Sequence, residues 1–375
     1  MHRDMQASLT FWSAFERRVG PADPDTDRFL VSDGSCGRSV GSLEIADALM
    51  AEIARRGKSI AVVRTGCDGR CFASVRVTFQ QSRQPVLNWR RVDLRDIPSM
   101  IDAALQSNAA AAPDPDSEAF FHGQRRQLLA DAGSINPESF EDAIRVGTYR
   151  ALAEALTHSP ADVVESIQAA GLLGMGGAYF PSWRKWQVCA GQPAPRYLVV
   201  NGEEGEPGVF KDRHLMEDQP HRLLEGAFIA AYAIGASQIY VFINGQARLS
   251  IERMQRAIDA VYRSRCVGES VLGTDFSCDV EIREGAGGYV LGEESVILES
   301  IEGYKPMPRF RPPHVAEHGL WGHPTVVNNV ETLSRVPAVI RAASQIDSES
   351  TVDDGSKTKL ISVTGDVQRP GLVEV

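Results

Sequence analysis

Glycines, carboxylates, carboxamides and one lysine gather at four places in the second half of the chain. The first is GLLGMGGAYFPSWRKW, residues 171–186, where four glycines fall within seven residues and Phe180 and Lys185 follow. Glycines at that density let the backbone approach a ligand closely and turn several N–H groups toward an anion, and a lysine ammonium suits a phosphate. The order Gly174-Met175-Gly176-Gly177 is not the GxGxxG of a dinucleotide fold, and alone it reads more readily as a tight turn. The second place is Asn201-Gly202-Glu203-Glu204-Gly205-Glu206-Pro207-Gly208, directly after the apolar run RYLVVN. Three carboxylates in four residues repel one another unless hydroxyls or a ring edge donate to them. Otherwise they form a solvated acidic turn, with Lys211 and Arg213, on either side of Asp212, as ion-pair partners. The third is EGAGGYVLGEE, holding Tyr289, Gly292, Glu293 and Glu294 at the start of a helical pattern, where helix capping is the competing role. The fourth joins RFRPP, with Arg311, to LWGHPTVVNNVET, where Asn328, Asn329 and Thr332 present amide and hydroxyl groups.

Each of these loops follows a strand pattern or opens a helix pattern, so one concave site built from four loops explains them together better than four separate turns. Backbone donors, one lysine, carboxylates and carboxamides suit a phosphorylated, hydroxyl-rich heterocycle. Flavin mononucleotide has that chemistry.

The elements that must position these groups alternate. The runs 196–201, 238–244 and 279–284 read as strands, and 220–234, 249–263 and 293–301 as helices between them, which predicts an α/β layer with a largely parallel sheet. Upstream, 138–156 and 160–170 read as helices, and 120–132 as another. Residues 26–106 carry a strand, a helix at 41–56, three strands and a closing helix at 97–105, a small α/β domain of their own. Residues 107–137 begin as an Ala/Pro/acid linker, residues 1–25 read as a polar tail, and the central domain spans 138–350. The strand KLISVT opens a further unit at 351–375 that stops at Val375, as a truncated chain would.

Composition narrows the partners. The 375 residues are 43% hydrophobic and carry a net charge of −10, which speaks against nucleic acid or an anionic membrane as the main partner. No apolar run reaches the roughly 18 residues of a spanning helix, and the first twenty residues are too charged for a secretory signal, so no direct membrane insertion and a cytoplasmic location are expected. The six cysteines are too few for a disulfide framework.

The four motifs, in order, resemble the NADH-oxidising flavoprotein subunit of respiratory complex I. The diaphorase subunits of NAD-linked hydrogenases and formate dehydrogenases share the module, and the likeness runs from about residue 140 to 375. The resemblance implies a Rossmann-like FMN-binding domain that takes hydride from NADH and passes electrons to iron–sulfur partner subunits. Carried over by motif, FMN would be held by Gly174, Gly176, Lys185, Asn201, Glu203, Glu204, Tyr289, Gly292, Glu293, Asn328, Asn329 and Thr332. NADH would lie near Phe180, Glu206, Glu294 and Arg311, with Glu206 and Glu294 closest to the chemistry. Met175 stands where the family usually has Arg, Glu203 where it has Asp, and Val188 and His314 where it has Phe. A non-catalytic, flavin-retaining scaffold is therefore the alternative reading.

The flanking parts extend the resemblance. Residues 351–375 are similar to the start of the family's β-grasp domain. The SCGxCxPC motif that holds a [4Fe–4S] cluster in the family is absent, and Cys189, Cys266 and Cys278 lack iron–sulfur spacing. The domain at 26–106 resembles a thioredoxin-like [2Fe–2S] ferredoxin. Cys36, Cys67 and Cys71 match three of its four ligand positions as candidate metal ligands, while Val31 fills the first.

Overall fold

The computed structural model describes residues 6–21, 26–81, 84–106, 114–344 and 357–375. Helix α1 (Ala7–Val19) lies where the sequence suggested a tail. Phe11, Trp12, Phe15 and Val19 recur at helical spacing and turn one face inward. Trp12 and Phe15 are buried in the main core, and the Trp12 indole donates to the Thr148 carbonyl at 3.2 Å. The charged residues that gave the segment its polar look lie on the other face.

The first sheet comprises β1 (Arg28–Ser32), β2 (Ala61–Thr65), β3 (Val77–Gln81) and β4 (Gln84–Trp89) in the order β2-β1-β3-β4. β1 pairs parallel with β2, which needs a crossover; β1–β3 and β3–β4 are antiparallel. The short helix α2 (Ser35–Arg38) and the helix α3 (Ser42–Arg55) make that crossover, and α4 (Ile97–Ala104) closes the domain over a core that includes Phe29, Leu49, Phe79 and Ile101. Apart from the short α2, the order of elements and their approximate bounds are those the sequence suggested.

The expected linker is only partly a linker. Residues 107–113 lie outside the described residues, and α5 (Pro115–Phe121) follows them with Phe120 buried. Beyond it the chain forms turns instead of the helix expected up to 132, yet Leu128 and Leu129 enter the main core. The backbone N–H groups of Gln127, Leu128 and Leu129 donate to the buried carboxylate of Glu374 at 2.9–3.0 Å. Those bonds join the C-terminal strand to the middle of the molecule.

The helix expected over 138–156 is two helices, α6 (Phe140–Arg145) and α7 (Arg150–Ala155). Gly147 at φ 82° and Tyr149 at φ 70° take left-handed conformations that no α-helix continues through. α8 (Pro160–Ala170) agrees with the expectation. Its N-cap Ser159 and Asp162 form a reciprocal capping box.

The central sheet positions the site. β5 (Tyr197–Gly202), β6 (Gln238–Asn244), β7 (Asp279–Gly285) and β8 (Thr325–Asn329) are all parallel, in the order β7-β6-β5-β8. Strands β5 and β6 are apolar almost throughout because helices cover both faces. Helices α9 (Ser182–Ala190), α10 (Lys211–Asp218), α11 (Pro220–Ile234), α12 (Arg248–Arg263), α13 (Glu294–Ile301) and α14 (Val330–Ala343) provide that cover. At Gly226 a Cβ would meet the Leu333 carbonyl oxygen at 1.8 Å, so α11 and α14 pack backbone against backbone. The chain ends in an antiparallel pair, β9 (Leu360–Val363) and β10 (Gly371–Glu374), and residues 345–356 lie outside the described residues.

A buried charge cluster fixes the first sheet on the central one. The Arg253 guanidinium on α12 is 1% exposed and reaches Asp33, just beyond β1, at 3.1 Å and Asp218 of α10 at 3.4 Å. Glu217 of α10 accepts from the Ser35 N–H at 2.8 Å. Removing one partner of such a buried cluster leaves an uncompensated charge, at a cost of about 3–5 kcal/mol.

Two histidines make the fold sensitive to acid. His221 is enclosed by Phe140 and Tyr149, with the Tyr149 hydroxyl 2.8 Å from Nδ1, and burial pushes it down to about 4. Burial is also the main cause that takes His214 down to about 4. Both rings fold neutral, whereas the unfolded chain protonates them below about 6.5, so the stability they carry is present above that pH and is lost as pH falls toward 4. The expected loss between pH 7 and pH 5 is about 2 kcal/mol per ring. Thermal unfolding of His221→Gln at the two pH values should show a smaller drop than the parent. An unchanged drop would contradict the assignment.

Candidate functional site

In the order β7-β6-β5-β8 the sheet runs away from β5 in both directions, so the loops after β5 and β8 part company at their carboxyl ends. Open α/β sheets bind ligands at such a switch point. A cleft of about 660 Å³ opens there, lined by Asn201 from β5 and by Val327, Asn328 and Asn329 from β8. That volume lies within the ~300–1,000 Å³ usual for cofactor sites.

Twelve of the residues singled out in the sequence line this cleft. They are Gly174, Gly176, Phe180, Lys185, Asn201, Gly292, Glu293, Glu294, Arg311, Asn328, Asn329 and Thr332. The glycine loop enters between α8 and α9. The Gly174 N–H donates to the Phe180 carbonyl at 2.8 Å, and the Met175 N–H donates to Thr332 Oγ1 at 2.8 Å, which ties the loop to α14. A Cβ on Gly176 would stand 3.3 Å from the Asn329 Cβ, so glycine keeps this part of the cleft open. Met175 is buried.

The amides are held in fixed orientations. Asn201 Nδ2 donates to the Gly292 carbonyl at 2.9 Å, and Asn328 Oδ1 accepts the Trp186 indole N–H at 2.7 Å. Asn329 lies between the Asp212 carboxylate, 2.6 Å from its Nδ2, and the Glu331 N–H, 3.0 Å from its Oδ1. Lys211 completes this group by pairing with Asp212 at 2.7 Å and Glu331 at 3.2 Å.

A chain of charges crosses the cleft. Lys185 Nζ is 2.6 Å from Glu294, and Arg311 pairs with Glu294 at 3.2 Å and also with Glu293. Glu293 is at once the N-cap of α13, accepting from the Ser295 N–H at 2.8 Å and the Val296 N–H at 3.0 Å. The capping role weighed for this acid is present, and its other oxygen still faces the cleft cation.

Four of the singled-out residues stand outside the cleft lining. Glu203 turns to the ends of β6 and β7, where Asn244 Nδ2 donates to it at 2.8 Å and its second oxygen is buried without a partner; burial raises its pKa. Glu204 caps α10, accepting from the N–H groups of Asp212 and Arg213 at 2.8 and 3.0 Å. Burial, and next the neighbouring Asp212, push it up to about 7. Glu206 is exposed and hydrogen-bonded to the exposed Tyr289 hydroxyl, whose pKa that carboxylate raises. The cleft also includes Tyr179, Arg184 and Glu317, which the sequence reading did not single out, and Val188 and His314, noted there only as departures.

The thiols Cys36, Cys67 and Cys71 come together in the first domain. Cys71 donates to Cys36, holding Cys36 down at about 6 and Cys71 up, while burial pushes Cys67 up. Val31, at the first of the four positions, is fully buried within β1. Among the described residues no group of three or more His, Cys, Asp or Glu is arranged to hold a metal ion. This set does not fit an all-cysteine [2Fe–2S] centre.

Comparison with known proteins agrees with the geometry. Residues 167–338 match the Complex1_51K family, described as the Nuo51 FMN-binding domain. An NADH-quinone oxidoreductase subunit of Aquifex aeolicus (strain VF5) is 38% identical over 248 residues, 66% of this chain and 58% of that protein. The HndC subunit of the NADP-reducing hydrogenase of Solidesulfovibrio fructosivorans is 39% identical over 253 residues, 67% of this chain and 51% of that one. An NAD+-reducing [NiFe]-hydrogenase in its air-oxidized state superposes with a TM-score of 0.55 at 27% identity, covering 99% of this chain and 62% of the other. The chain thus spans between half and two thirds of the length of these relatives. The glycine loop, the paired asparagines and the switch-point cleft all lie inside the segment that matches the Nuo51 FMN-binding domain model.

Proposed function

We propose that this chain is the electron-entry flavoprotein part of a multi-subunit oxidoreductase, in which FMN occupies the cleft, NADH is the two-electron donor and iron–sulfur centres of partner subunits take the electrons away. The observation that carries this reading is the cleft at the β5/β8 switch point, where glycine backbone, one lysine and three oriented asparagines converge. These groups fit the proposed cofactor. Gly176 keeps space open beside Asn329, Lys185 offers a charge to a phosphate, and Asn201, Asn328 and Asn329 present polar edges to ribityl hydroxyls or a ring. When bound, the flavin supplies hydride acceptance and stepwise electron release.

The chain's own residues then bind and orient. Lys185, paired with Glu294 here, would hold the phosphate. Arg311, already bridging Glu293 and Glu294, keeps those two acids from standing as unpaired charges beside an anionic substrate. Glu206 and Tyr289 form a hydrogen-bonded pair from the loops after β5 and β7 and assist the dinucleotide from outside the cleft wall.

We assign the first domain a thioredoxin-like fold, supported by its strand order and mixed pairing, and read β9–β10 as the opening hairpin of a β-grasp unit. No helix among the described residues is long and apolar enough to cross a membrane, and we place the chain on the cytoplasmic side. A flavin-retaining scaffold without turnover is the second reading. Val188 and His314 favour it, since they leave the cleft with fewer stacking rings than the family pattern.

Two substitutions test the assignment. Lys185→Ala should weaken FMN retention by about tenfold, the size of one charge-assisted phosphate contact; equilibrium dialysis of FMN checks this, and unchanged affinity would remove Lys185 from the phosphate site. Glu206→Ala, assayed as NADH-driven ferricyanide reduction, should lose turnover per bound flavin while flavin content holds. Loss of flavin with normal turnover per flavin would invert the division of roles, and no NADH turnover in the parent chain would favour the scaffold.

A further inference from the structure

Among the described residues, two of the three cations from Lys and Arg that line the cleft are paired with acids. Lys185 is taken by Glu294, Arg311 by Glu293 and Glu294, and Glu317 accepts the His314 backbone N–H at 3.2 Å, closing its own turn. Arg184 lines the same cleft from the first turn of α9, and among the described residues no carboxylate pairs with it. Its guanidinium rests over the Trp183 ring, 5.3 Å from the centroid, and is exposed. One helical turn further along, Val188 lines the cleft too, and His314 lines it from the segment after Arg311.

We propose that Arg184, assisted by His314, is a specificity-determining residue that receives the ribose 2′-phosphate of NADPH. The inference rests on the FMN- and dinucleotide-binding reading given above and extends the donors of that reading from NADH to NADPH. The groups assigned to the flavin come from the α8–α9 loop, Gly174 and Gly176, and from the carboxyl ends of β5 and β8, Asn201 and Asn328, whereas Arg184 and Val188 lie on α9 and His314 on the segment after Arg311, all three exposed. A dinucleotide that brings its nicotinamide to the flavin leaves its adenosine end beside those three. Val188 and His314 give the adenine little aromatic surface there, so charge has to supply recognition that stacking does not. Dinucleotide sites choose between the two cofactors with an acid that bonds the ribose 2′-hydroxyl or with an arginine that accommodates the 2′-phosphate. Here the acids lining the cleft are engaged with Lys185, Arg311, the α13 cap or a local turn, and the unpaired group is an arginine, whose planar fork matches a phosphomonoester.

The test needs no flavin. Binding of 2′,5′-ADP and of 5′-AMP to the full chain is measured by calorimetry at fixed ionic strength, for the parent and for Arg184→Gln. The expected result is about a tenfold preference for 2′,5′-ADP in the parent, equal to one charge-assisted contact, falling to within about twofold in the variant while 5′-AMP binding is unchanged. Arg184→Lys should keep part of the preference, as a point charge without the fork. Equal affinities in the parent, a preference that survives the substitution, or equal losses for both nucleotides would overturn the proposal, the last because Arg184 would then serve the phosphate that both share. The broader reading stands or falls separately, on whether NADH reduces the bound flavin of the parent chain.

Discussion

Parallel pairing is the constraint on which the site depends. Because β7, β6, β5 and β8 all run the same way, their carboxyl ends lie along one edge, and the loops that leave them are neighbours in space though far apart in sequence. The reversal of order on either side of β5 then parts two of those loops and leaves room between them. Glycines 174 and 176, the asparagines at 201, 328 and 329, and the acids at 293 and 294 have chemistry of their own, but it is the strand register that brings them within reach of a single ligand. A one-residue slip of β5 against β8 would turn Asn201 to the wrong face.

Electrostatics does the fine positioning. The cleft holds a chain of alternating charge, Lys185, Glu294, Arg311 and Glu293, ending in the capped N-terminus of α13. Behind it, Lys211, Asp212, Glu331 and Asn329 form a second group that fixes one asparagine of the cleft wall from outside it. Helix α10 links this group to the first domain. Its first residues hold Asn329, and its last, Glu217 and Asp218, hold Ser35 and Arg253. The small N-terminal sheet is thereby fixed in orientation to the central one by buried charges as well as by apolar contact.

Much of this was legible in the residues, for identifiable reasons. Strands β5 and β6 are apolar runs ending in glycine or asparagine, β7 alternates apolar and charged residues before a glycine, and α11 and α12 are long and periodic, so their types and approximate bounds could be read directly. The glycine, lysine and asparagine loops stood out because few structural needs other than a ligand gather them so densely. What could not be read was cooperation between distant segments. β8 is five residues long and merges into the motif that contains it, and α10, KDRHLMED, looks like a run of ion-pair partners until Glu204 caps it. α1 was hidden because its charged face masked an apolar stripe that only the main core could reveal. Glu203 and Glu204 looked like ligand acceptors, and the fold uses Glu204 at a helix end and turns Glu203 toward Asn244. Arg184 gave no signal at all, since an unpaired surface arginine is ordinary until it is known to line a cleft in which the other cations are paired.

The central claim is that this cleft holds a flavin which accepts electrons from a reduced nicotinamide dinucleotide. An anaerobic absorbance titration of the FMN-loaded chain with NADH tests it most directly. The account predicts that the flavin band bleaches as NADH is added, up to one equivalent per bound flavin. A flavin band that NADH leaves unchanged, while dithionite bleaches it fully, would contradict the account.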